Sequence, residues 1–216
     1  MLRRAAQLLA ALLACHGALA QPEIAVVDQV SITAAHLLTP PGGTHRLKLS
    51  VVHLDGSGWQ PEPVLHALRQ ATAILSQCDV AIVGVEWVSL ATPQRYLDFS
   101  TPLARELVRL HPVAKPAIYL VRDTRSRPAF DAEAIGRGNS GTRPELADTV
   151  WMTAATRDAG VALAHELAHV LMDSGDHSDE PANLMREETS QAHTVLSVTQ
   201  CTRLRETALS NGLLQR

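Results

Sequence analysis

From about Ala155 to Met172 the chain reads as a strong helix, nearly all apolar around Val161, Leu163, Leu167, Val170 and Leu171, and it carries His165, Glu166 and His169 in its middle. A helix that is apolar on nearly all sides must be buried, so the rest of the chain has to supply a sheet or further helices to cover it. Three polar side chains inside such a helix are expensive to bury without a partner. Residues four apart share one helical face, which lets His165 and His169 reach a single ion, and zinc is the ion to which a His-Glu-x-x-His spacing points. A zinc with three protein ligands keeps an open position and lowers the pKa of water there towards roughly 7, which makes Glu166 the candidate general base.

A third ligand has to follow the helix. The next residues are Asp173, Ser174, Gly175, Asp176 and His177. Gly175 tolerates positive φ and can turn the chain back, so His177 is the first candidate, with the carboxylates of Asp173, Asp176 and Asp179 also in range.

The remaining patterns describe what packs round this helix. His45 to Asp55 alternates apolar and polar residues and stops at Gly56-Ser57-Gly58, as a strand entering a turn does. Pro61 to Gln77 has helical spacing at Val64, Leu65, Leu68, Ala71, Ile74 and Leu75, with prolines near its start. Val80 to Leu90, Ala117 to Arg122 and Thr149 to Thr153 read as strands, Pro102 to Leu110 as a short helix, and Thr194 to Ser210 as a final helix closed by Asn211-Gly212. Thr39 to Gly43 is a turn cluster, and 21–44 is expected as a linker segment ahead of one domain over 45–216.

The stretch His165-Glu166-Leu167-Ala168-His169 with His177 downstream, followed by Asn183-Leu184-Met185, resembles the metzincin clan of zinc endopeptidases, as does the order of elements from about residue 45 to 210. The resemblance implies His165, His169 and His177 as zinc ligands, Glu166 as general base, and Met185 as the residue of a methionine turn. It also implies an α+β fold, in which a mixed twisted sheet packs on the helix of the motif and on a first helix, with a small C-terminal part ending in a helix. Three departures stand out. Met172 occupies the place of the family's glycine, and His177 comes two residues later than the family spacing. Glu187 stands where some members have tyrosine, leaving zinc itself first, and Arg186 or His193 after it, to stabilise an oxyanion. Residues 136–142, rich in glycine, fall where the family presents an edge strand to an extended peptide.

Composition narrows the function classes. The chain has 216 residues, net charge −3 and only 3% aromatic residues, so a base-stacking surface is not expected and no nucleic-acid partner is. Residues 1–20 have two arginines, an apolar run and Ala18-Leu19-Ala20 before Gln21, the form of a cleaved export signal; Leu12-Leu13-Ala14-Cys15 resembles a lipobox, which would place a lipid anchor on Cys15. The apolar run is shorter than the roughly 20 residues that span a bilayer. After cleavage Cys78 and Cys201 remain, an even pair expected to form a disulfide in an oxidising compartment. The expectation is therefore a monomeric, secreted or periplasmic endopeptidase with one catalytic zinc, acting on peptide or protein. Two alternatives stand beside it: a gluzincin-type peptidase with Glu187 or Glu188 as third ligand, and a non-catalytic exported zinc-binding or cell-envelope protein, whose site would need a fourth protein ligand.

Overall fold

The computed structural model describes residues 24–40, 42–125 and 144–216. The leader with Cys15 and the glycine-rich 136–142 lie outside them. Among the described residues a five-strand path runs β1-β3-β2-β5-β7, formed by β1 (Ala25–Thr33), β2 (His45–Leu54), β3 (Val80–Ala91), β5 (Ala117–Val121) and β7 (Thr149–Thr153). The pairs β2 with β3, β2 with β5 and β5 with β7 are parallel, whereas β1 is antiparallel to β3. A short β8 (Leu214–Gln215) pairs antiparallel with the start of β2, and β4 (Asp98–Phe99) with β6 (Asp123–Thr124) makes a separate two-stranded sheet. Five α-helices complete the described residues: α1 (Ala34–Leu37), α2 (Pro61–Leu75), α3 (Thr101–Leu110), α4 (Ala159–Met172) and α5 (Val198–Ser210). The fold is α+β, a mixed sheet packed against helices and ending in a helical C-terminal part, as expected.

Parallel strands covered on both faces are apolar at consecutive positions rather than alternating. The five residues of β5 and the five of β7 are all buried. One face, with Val51, Val85, Ile118, Leu120, Val150 and Met152, packs on α2, α4 and α5. The other, with Val52, Val88, Tyr119 and Trp151, packs on Leu107 and Val108 of α3 and on Phe99. Trp151 stacks on Tyr119 at 4.2 Å between ring centroids, and both share this second core with Tyr96 and Phe99, while Trp59 and Trp87 lie in the first.

Three boundaries differ from expectation. The segment 21–44 carries β1 and α1, which the turn cluster at its end did not signal. Residues 155–158 are not helical: Asp158 takes a left-handed conformation (φ 47°) and α4 starts at Ala159. Helix α5 starts at Val198, set by a capping box in which the Ser197 hydroxyl accepts from the Gln200 N–H and the Gln200 side chain accepts from the Ser197 N–H. Cys78, at the end of the 3₁₀ turn after α2, is joined by a disulfide to Cys201 in the first turn of α5, so the first long helix and the last are tied across 123 residues.

Candidate metal centre

Helix α4 packs beside α2 against the sheet and under α5, and every residue from Gly160 to Met172 is buried. That includes His165, 3% exposed, Glu166, 9%, and His169, 5%. Gly160 makes the close approach possible, because a Cβ there would lie 2.6 Å from the Cβ of Gln70 on α2.

The chain leaves α4 through a left-handed turn at Asp173 (φ 47°), not at Gly175, whose φ is not positive. The Ser174 N–H bonds back to the His169 carbonyl at 3.1 Å, and the loop then brings the exposed His177 alongside. Ring centroids of His177 lie 5.4 Å from His165 and 5.0 Å from His169. One nitrogen from each of the three imidazoles falls within 4.8 Å of the others, the group among the described residues that could hold a metal ion.

Each buried imidazole is oriented by a backbone carbonyl. His165 Nδ1 donates to the Leu184 carbonyl at 2.7 Å, and His169 Nδ1 donates to the Ser174 carbonyl at 2.6 Å. A carbonyl only accepts, so both neutral rings carry the proton on Nδ1 and turn the Nε2 lone pair inward. Burial pushes His165 below its ordinary value, and burial together with the neighbouring His165 pushes His169 down to about 4, so both rings are neutral near pH 7. The two Nε2 atoms lie 2.9 Å apart. Two lone pairs facing each other at that distance repel unless they share a cation, so the donor set fits a divalent metal. Glu166 Oε1 is 3.9 Å from His165 Nε2.

The segments that follow α4 are tied to this cluster. Met185 is buried, and its carbonyl accepts from the N–H of Ser178, the residue after His177. Asp176 is held below the usual carboxylate range by the Ser174 hydroxyl and by Arg203 of α5, and it lies outside the three-histidine group. Asp179 is exposed and also lies outside that group. Glu187 and Glu188 are exposed, stand outside the group and belong to no helix. Arg186 donates to the Asp179 carbonyl and His193 Nδ1 bonds the Glu188 carbonyl, so each side chain is engaged with the loop itself.

Sequence reasoning missed the Leu184 and Ser174 carbonyls, because any residue type supplies a carbonyl. It also missed Asn183 and Gln200, although Ser197-x-x-Gln200 is a readable capping-box signature.

No protein-family model matches the chain, and no curated protein matches it. Among solved structures the fold is similar to that of metalloproteinase-II from Bacteroides fragilis, with a TM-score of 0.57 at 17% sequence identity. The superposition covers 81% of this chain and 60% of that one, so the chain spans about three-fifths of that protein's length. At this identity the likeness is one of fold.

Proposed function

We propose that the chain is an exported zinc endopeptidase of metzincin type, in which His165, His169 and His177 hold one zinc ion and Glu166 is the general base. The observation that carries this reading is the convergence of three imidazoles, two of them buried, neutral and fixed with their Nε2 lone pairs inward. When bound, zinc supplies Lewis acidity and water activated near neutral pH. The chain's own residues do the rest. Glu166, beside His165 Nε2, accepts a proton from the attacking water at its carboxylate and passes it to the leaving amine. The exposed side of the cluster at His177 leaves an approach for an extended peptide, whereas a closed structural site takes four protein ligands.

The proposed organisation is a cleaved leader over 1–20 and a peptidase domain over 45–216, to which β1 adds a strand. A disulfide between Cys78 and Cys201 fits an oxidising, extracellular or periplasmic setting. No helix of the described residues is long and apolar enough to cross a membrane. Met185 packs beside the ligand loop in the role of the methionine-turn residue.

The test is Glu166→Gln, which keeps the side chain's size and removes the base. Zinc content is expected to stay as in the wild type, and hydrolysis of a fluorogenic peptide library is expected to fall by about 10² to 10⁴. A wild type that holds zinc and cleaves no peptide in that library would sink the peptidase reading in favour of a non-catalytic zinc site.

A further inference from the structure

His165 is oriented by one carbonyl, and that carbonyl belongs to a peptide unit whose other end is also held. The Leu184 carbonyl accepts from His165 Nδ1, and the Met185 N–H of the same peptide donates to Asn183 Oδ1 at 2.9 Å. A peptide unit is planar, so fixing its N–H fixes the direction of its C=O. The Asn183 side chain is therefore a handle on the orientation of His165. It is itself 2% exposed and faces Gln200 of α5 in a two-way amide pair: Asn183 Nδ2 donates to Gln200 Oε1 at 3.0 Å, and Gln200 Nε2 donates to Asn183 Oδ1 at 3.1 Å. Asn183 Nδ2 also reaches Glu180 Oε2 at 3.3 Å.

Two backbone donors decide which way each amide points. Met185 N–H requires an oxygen from Asn183, and Ser197 N–H, 2.8 Å from Gln200 Oε1, requires an oxygen from Gln200. With both amides so set, their remaining donors and acceptors match each other. We propose that Gln200 is a positioning residue for the metal site, acting through Asn183 on the peptide whose carbonyl holds His165. The role rests on the zinc reading of the three-histidine cluster. Hydrogen-bond partners of this kind behind a ligand histidine raise its basicity and fix its ring, and their loss typically weakens metal binding about 10- to 100-fold.

The experiment is zinc titration of the full chain against a competing chelator, for wild type, His165→Ala, Gln200→Met, Asn183→Leu, the Gln200→Met/Asn183→Leu double variant and Ser197→Ala. Gln200→Met is expected to weaken zinc about tenfold, and Asn183→Leu at least as much. Because Gln200 acts through Asn183, adding Gln200→Met to Asn183→Leu is expected to change affinity by less than about twofold. Ser197→Ala weakens the same capping box without touching the amide pair, and its zinc affinity is expected to stay within about twofold of wild type. Wild-type affinity in Gln200→Met, multiplying effects in the double variant, or a loss in Ser197→Ala equal to that in Gln200→Met overturns the positioning role alone. A wild type that binds no more zinc than His165→Ala overturns the metal reading, and the positioning role with it.

Discussion

At His165 and His169 two features that are awkward apart explain each other. A buried imidazole is costly unless both nitrogens are satisfied, and here Nδ1 is satisfied by a carbonyl while Nε2 faces the other ring's Nε2 at 2.9 Å. Their pairing was legible in the sequence, since a spacing of four residues puts two side chains on one helical face whatever the tertiary fold. The third histidine was less so, because its place depends on how the helix ends. The glycine signal pointed to Gly175, yet the left-handed residue is Asp173, a type that tolerates this conformation better than most. His177→Ala is accordingly expected to cost far more zinc affinity than Glu187→Ala or Glu188→Ala, both of which remove exposed side chains outside the cluster. Chelator competition on the three variants checks it, and the reverse order would return the third-ligand role to a glutamate.

Among the elements, those with a buried face were readable and those without one were not. Strands β2, β5 and β7 show apolar residues where the core needs them. Strand β1 is exposed along almost its whole length, with Val26, Val27 and Val30 all facing solvent, so no core alternation marks it. The start of α4 was misplaced because Ala155 and the residues after it are compatible with a helix, but the chain has to turn from β7 into the helix, and it does so at Asp158. Two residues on, Gly160 lets α4 nest on α2. Alanine favours a helix interior over glycine by about 1 kcal/mol, but its methyl group would meet Gln70 at both Cβ and Oε1. Overpacking of that kind costs about 1 to 3 kcal/mol, so Gly160→Ala is expected to destabilise despite its better propensity. Urea unfolding gives the sign directly, and a raised midpoint would show that Gln70 moves aside freely.

Across the whole molecule, the sheet holds one side of α4 while α5 holds the segments that return to the three-histidine cluster. Arg203 bonds Asp176 in the ligand loop, Gln200 pairs with Asn183 before Met185, and Cys201 anchors the same helical turn to Cys78. The cysteine count raised the disulfide, but only the fold brings the two ends together. Peptide mass mapping without reductant is expected to find Cys78 and Cys201 linked, and losing the bond should lower stability by roughly 2 to 4 kcal/mol. Two free thiols in protein recovered from an oxidising compartment would contradict the linkage. The central claim, a zinc site built on His165, His169 and His177, is tested most directly by elemental analysis of the purified chain after exhaustive dialysis. About one zinc per chain is expected in the wild type, and almost none in His165→Ala or His169→Ala, because two remaining imidazoles are too few to retain the ion. Zinc content unchanged in both variants would place the metal elsewhere and contradict the account.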